Sequence, residues 1–133
     1  MSVPIIPDPG PLTRPYWEQA RAGRLVLQHC HGCGHTWHPP LPRCPRCHAA
    51  DTGWQQASGE GTVYSYTVVH HATHAALADR VPYVIAIVEL AEGPRVVTGI
   101  RGAAPDQVWV GMPVRAVFEE VTPEVTLPQF APR

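Results

Sequence analysis

The sequence predicts a mainly β protein: a short N-terminal helix, then a small zinc ribbon, then a compact β-barrel. Three observations predict it. Two Cys-x-x-Cys pairs, Cys30/Cys33 and Cys44/Cys47, stand ten residues apart and account for all four cysteines. Sixteen prolines and eleven glycines among 133 residues favour turns and strands over long helices. Beyond residue 60, several short apolar runs are separated by turn-forming residues. The expected units are an arm and helix over 1–24, the ribbon over 25–57, and the barrel with a C-terminal tail over 58–133.

The proline-rich residues 1–12 predict an extended arm. Thr13 is placed to cap a helix that tolerates Pro15 in its first turn and ends at Gly23. Tyr16, Trp17 and Ala20 then share one apolar stripe. A helix this short has little stability alone, so the stripe must pack on this chain's own sheet or on a partner.

Residues 24–29 predict the strand entering the first Cys knuckle, 35–38 the return strand, and 53–57 a third ribbon strand. A turn closed over two residues lets both thiolates of a pair reach one ion, and two such turns supply the tetrahedral four-sulfur shell of structural zinc. Gly32 and Gly34 suit the tight first turn, and Pro45 presets the second. About thirty residues cannot bury enough surface to fold alone, so zinc contributes on the order of 10 kcal/mol of apparent binding energy. Disulfides are the competing use of these cysteines. His29, His31, His35 and His48 crowd the ribbon, but four sulfurs already fill the shell.

Ser58-Gly59-Glu60-Gly61 reads as a hinge. Strands follow at 62–70, 83–90, 95–100 and 114–121, with Glu92-Gly93-Pro94 as a turn. The segment YVIAIVEL is apolar nearly throughout and predicts a strand buried on both faces. Four or five such strands suit a small closed barrel, of the OB or SH3-like kind.

Charge limits the partners. Net charge is −1, and all ten basic residues are arginine. Lysine chemistry is therefore excluded, and no basic patch draws the chain to nucleic acid. Tyr64 and Tyr66, read as sharing one strand face, keep a base-stacking zinc-ribbon/OB protein as the alternative. The N-terminus shows no signal-peptide pattern and no run reaches membrane-span length, so the expected location is cytoplasmic. No Gly-x-Ser-x-Gly, His-Glu-x-x-His or phosphate-loop motif is present. His70, His71 and His74 are the one tempting acid–base cluster, on a strand end where their spacing does not converge.

The ordered segments RPYWEQARAGRLVLQHCHGCG, HPPLPRCPRC, SGEGTVYSYTVVH, VPYVIAIVELAEGPRVVTGI, GMPVRAVFEEV and LPQFAPR resemble the family of acyl-CoA-associated proteins with an N-terminal helix, a rubredoxin-like zinc ribbon and an OB-fold. The resemblance spans about residues 13–132. It implies that Cys30, Cys33, Cys44 and Cys47 hold zinc. It also implies a non-catalytic accessory subunit that binds a thiolase-superfamily enzyme and shapes its CoA or acyl passage. Candidate partners are a thiolase, an acyl-CoA synthase or a lipid-transfer-protein-like aldolase. Under that reading Arg43 and Arg46 are candidates for CoA phosphates, and Tyr16 and Trp17 for partner docking. A scaffold that never touches CoA is the other alternative.

Overall fold

The computed structural model describes residues 5–133. One helix, α1 (Arg14–Arg21), precedes a three-stranded ribbon sheet of β1 (Val26–Cys30), β2 (Thr36–Trp37) and β3 (Thr52–Gln56), ordered β2-β1-β3. The second sheet contains β4 (Glu60–Val69), β5 (Tyr83–Leu90), β6 (Arg95–Gly99), β7 (Pro113–Thr122) and β8 (Val125–Pro132), ordered β6-β5-β4-β7-β8 and antiparallel throughout. A parallel bridge between Ile100 and Phe130 brings the two ends of this sheet together, giving the five-stranded Greek-key barrel of an OB-fold. No described helix is long and apolar enough to cross a membrane.

Helix α1 starts without the expected side-chain cap. Thr13 Oγ1 accepts instead from the Gly10 N–H at 3.3 Å, which ties the arm to the helix. Gly23 ends it as expected: its φ of +80° lets its own N–H and that of Arg24 close on the last carbonyls. The helix packs on β8, β1 and β7, with Ala20 fully buried.

Ribbon and barrel share one core. Leu25 and Leu27 at the start of the ribbon, and Ala57 at its end, pack with Val63, Val88, Val114 and Phe130 of the barrel. The junction at Ser58–Gly61 is pinned rather than loose. Ser58 N–H donates to Glu92 Oε2 at 2.8 Å, and Gly59 carbonyl accepts from Ala116 N–H at 2.7 Å. A Cβ on Gly61 would stand 2.7 Å from the Glu89 carbonyl oxygen, so the close strand approach needs glycine there.

Three strand-level expectations change. The C-terminal tail is a full strand, β8. Its Pro128 and Pro132 lie in phase with Phe130, whose carbonyl accepts from Arg101 N–H on the side away from β7. Their missing N–H groups therefore fall outside the β7–β8 ladder. Tyr64 and Tyr66 do not share a face, because a β-bulge between Val63 and Ser65 shifts the phase. Tyr66 packs on the core, while Tyr64 lies outside beneath the Arg95 guanidinium, 3.8 Å from its ring centroid. Finally, β5 is buried on one face only. Ala86 and Val88 are enclosed, but Ile85 on the other face is 37% exposed and Val97 of β6, opposite Ile87, is 74% exposed.

Phe130 is the largest fully buried side chain and sits at the closure of the barrel. Phe130→Ala is expected to lower unfolding free energy by about 3–5 kcal/mol. Urea unfolding checks this, with a loss below about 1 kcal/mol contradicting the closure role.

Candidate metal centre

The chain builds the site with two matched turns. In the first, Gly34 N–H donates to the Cys30 carbonyl at 3.0 Å; in the second, His48 N–H donates to the Cys44 carbonyl at 2.9 Å. Gly34 and His48 follow the second cysteine of each pair, and both have left-handed backbone, φ +79° and +66°. Of the two glycines expected to turn the first knuckle, Gly34 alone takes positive φ. Backbone N–H groups then point at sulfur: Cys33 N–H to Cys30 Sγ at 3.4 Å, and Arg46 and Cys47 N–H to Cys44 Sγ at 3.4 and 3.5 Å.

The four sulfurs converge. Cys30 and Cys47 Sγ are 3.5 Å apart, Cys33 and Cys44 Sγ 3.6 Å, and all four lie within 4.8 Å of one another. No disulfide joins them. Tetrahedral zinc with Zn–S bonds of about 2.3 Å sets neighbouring sulfurs about 3.8 Å apart, so the donor set fits the ion. Among the described residues, this is the one group of three or more ligand-type side chains close enough to hold a metal. The Cys33 amide, more than any other group, holds the Cys30 thiol below its usual range, although burial opposes it. Burial raises Cys44 as well, but the Cys47 and Arg46 amides together with the Cys33 and Cys47 thiols bring it down to about 7. Cys47 goes the other way: the Ala49 amide lowers it, but the neighbouring cysteine sulfurs and burial push it up to about 11, the repulsion that a bound cation relieves. Such sulfurs bind metal as thiolates, and a four-sulfur zinc site is closed to water.

Cys30 and Cys44 are buried with Trp37, while Cys33 and Cys47 face outward. None of the surrounding histidines joins the shell. His31 Nδ1 pairs with Asp51 Oδ1 at 2.9 Å, and His29 Nδ1 meets Thr36 Oγ1 at 3.0 Å. His35 stacks on Trp37 with ring centroids 5.8 Å apart.

The remaining candidates are scattered. Arg43 Nη1 donates to the His48 carbonyl at 3.1 Å, which buttresses the second turn. Arg46 is exposed and lines an open groove of about 450 Å³ with His35, His38, Glu92 and Pro94, where ribbon meets barrel. Trp37 also lines this groove, and Trp37 Nε1 and Glu92 Oε1 are buried without a hydrogen-bond partner. Tyr16 packs against the barrel core, edge-on to Trp17 and tilted against His38. Trp17 is half-buried beside a shallow hollow shared with Arg14, Arg21 and Glu124. His70, His71 and His74 form no cluster: His74 Nδ1 accepts from Ala76 N–H at 2.9 Å and so caps a short 3₁₀ helix, Ala75–Leu77. Trp37 is one of the aromatics the sequence offers for lining a passage, and it does line this groove; Glu92 was missed, because it reads only as part of a turn and meets Trp37 through the fold.

Two outcomes follow from this geometry. Chelation or Cys33→Ser is expected to lower the melting temperature of the whole chain in a single transition, because ribbon residues Leu25 and Leu27 belong to the barrel core. Calorimetry with zinc analysis checks it, and a barrel transition that does not move would contradict the coupling. Burial pushes the Tyr16 hydroxyl up to about 12 from 10.0. Between those values the unfolded chain releases the proton and the folded chain keeps it. This contribution is thus whole below pH 10 and lost as pH rises toward 12. With no lysine in the chain to titrate there, Tyr16→Phe is expected to raise the alkaline unfolding midpoint. An unmoved midpoint would put the hydroxyl in water.

Comparison with known proteins agrees with this architecture. Residues 17–53 match the family described as ChsH2, rubredoxin-like zinc ribbon domain, and residues 54–119 match ChsH2, C-terminal OB-fold domain. A probable enoyl-CoA hydratase alpha subunit of Thermomonospora curvata is 48% identical over 88% of this chain. A 3-oxo-4,17-pregnadiene-20-carboxyl-CoA hydratase alpha subunit of Mycobacterium tuberculosis is 39% identical over 88%. The chain spans only 36% and 39% of the length of those two proteins. A DUF35 domain-containing scaffold protein of Methanocaldococcus jannaschii is 39% identical over 73% of this chain and 69% of its own. Among solved structures, a chain of one described as Ltp2-ChsH2(DUF35) aldolase superposes with a TM-score of 0.87. It shares 45% identity over 95% of this chain and 98% of that one. The two matched turns, the four converging sulfurs and the five-stranded barrel are thus those of a known family, and this chain belongs to it: the ChsH2 (DUF35) proteins, with a rubredoxin-like zinc ribbon and an OB-fold.

Proposed function

We propose that this chain is a non-catalytic accessory subunit of an acyl-CoA enzyme of the thiolase superfamily, one that forms or breaks carbon–carbon bonds. Its nearly full-length similarity to a chain of the Ltp2-ChsH2(DUF35) aldolase is the observation that carries the reading. The scaffold name of the Methanocaldococcus jannaschii relative supports it. In this reading the ribbon and barrel cover part of the partner's cleft and line the passage for CoA and its acyl group. Holding the long substrate in place lowers the entropy cost of alignment, and covering the cleft excludes water.

Several features of the chain support a partner. An antiparallel strand that is apolar on both faces needs cover on both, and this chain covers β5 on one. Trp17 offers half-buried aromatic area, with Tyr16 fixed behind it by the barrel core. Of the two arginines proposed for CoA phosphates, Arg46 is the freer, since Arg43 is engaged by the His48 carbonyl.

The test is reconstitution of the enzyme that co-purifies with this chain, an aldolase, thiolase or acyl-CoA synthase. Activity is expected to need both proteins, with none from this chain alone. Arg46→Ala is expected to raise KM for acyl-CoA about tenfold with kcat little changed, because contacts to the CoA tail are alike in ground and transition states. Full activity from the partner alone, or turnover by this chain in isolation, would overturn the accessory role.

A further inference from the structure

Three segments without any recognisable motif converge away from the ribbon. The turn after the 3₁₀ helix supplies Arg80, the residue following the Ile100 bridge supplies Arg101, and β7 supplies Glu119. Arg101 Nε donates to Glu119 Oε2 at 3.2 Å. Arg80 Nη1 stands 3.8 Å from Glu119 Oε1, beyond hydrogen-bond reach. Both arginines hang from fixed backbone: Arg101 N–H donates to the Phe130 carbonyl at 2.7 Å, and Arg80 N–H to the Leu77 carbonyl at 3.0 Å. Two guanidinium charges against one carboxylate leave a single unit of positive charge.

Two open cavities, of about 290 and 220 Å³, adjoin these side chains, and Leu77, Arg80 and Arg101 line both. Tyr83 completes the first. Ile5 of the arm, Ala76, Val121 and Leu127 wall the second. Among the described residues neither lining contains a carboxylate, so Glu119 braces the arginines without occupying the space in front of them.

We propose that this double cavity binds a medium-chain aliphatic carboxylate. The carboxylate head lies on Arg80 and Arg101, and the chain lies along Leu77, Val121 and Leu127. A guanidinium fork takes carboxylate oxygens two at a time, and Arg80, ion-paired with Glu119 at 3.8 Å but not hydrogen-bonded to it, keeps its N–H groups for a ligand. One excess charge suits a monoanion, whereas a phosphate dianion would bring a second charge with nothing to offset it. The apolar walls favour an aliphatic body over a bare ion. The site asks nothing of a partner or of CoA, so it holds or fails separately from the accessory role.

Titration calorimetry of the full chain at low salt tests it, with octanoate, octanol and inorganic phosphate as probes. Octanoate is expected to bind at one site per chain. Arg80→Gln is expected to weaken it about tenfold or more, the worth of a charge-assisted hydrogen bond. Octanol, with the same chain and no charge, is expected to lose a similar factor, and phosphate to bind less tightly than octanoate. Because Arg80 makes no hydrogen bond to Glu119, the variant is expected to keep its melting temperature and so report on the site alone. Arg80→Lys, which keeps the charge and removes the fork, is expected to fall between the two. No saturable octanoate binding, equal affinity in Arg80→Gln, or tighter binding of phosphate would each overturn the assignment.

Discussion

Four sulfurs within 4.8 Å of one another are the constraint on which the rest of this structure depends. Thiolates crowded that closely repel unless a doubly charged cation sits among them. The ribbon is arranged to serve that convergence. Its amides point at sulfur, and two residues accept left-handed backbone so that each turn can close. The second of these is His48, a side chain for which that conformation costs free energy. The constraint also reaches the barrel. Strand β1 leads into the first knuckle, and Leu27 on it, with Leu25 just before it, packs in the barrel core. The metal thus fixes one wall of the core that ribbon and barrel share.

What could be read from the sequence was whatever local chemistry decides. The cysteine spacing, the helix stop at Gly23 and the turn at Gly93 each rest on a few adjacent residues, and each is present. What escaped depends on phase or on distance along the chain. Pro128 and Pro132 argue against a strand until one knows which side of β8 needs its N–H groups. A bulge after Val63 is invisible in an alternating pattern, yet it decides that Tyr64 and Tyr66 point opposite ways. With that pair separated, the base-stacking alternative loses the feature that motivated it. Thr13 has the residue type of a cap and bonds the arm instead. Arg80, Arg101 and Glu119 lie far apart in the chain, and only barrel closure gathers them.

That closure is economical. One parallel bridge joins β6 to β8, and the rest of the seam is made by side chain and loop. Gln129, only 8% exposed, turns its Oε1 to accept from Gly99 N–H at 3.0 Å, replacing a ladder bond. A Cβ on Gly99 would stand 2.6 Å from that oxygen, so a larger residue there would displace the Gln129 side chain from its bond. An OB barrel sealed in this way presents a long strand pair, β5 and β6, whose outer face is not turned toward its own core.

The outer face of that pair is where sequence and isolated fold disagree most, and the disagreement is informative. Burial of apolar area is the main favourable term in folding, so a chain gains nothing by placing Ile85, Ile87 and Val97 on a solvated face. Nearby Glu89 and Arg95 pair at 3.0 Å, and Arg95 also covers Tyr64, so polar contacts bound the patch. An apolar centre with a polar edge is the usual anatomy of a surface that another protein covers. The YVIAIVEL segment reads as doubly buried because its composition is that of a strand with both faces covered. The chain provides one of those covers itself. For an accessory subunit, the second would be the protein it serves.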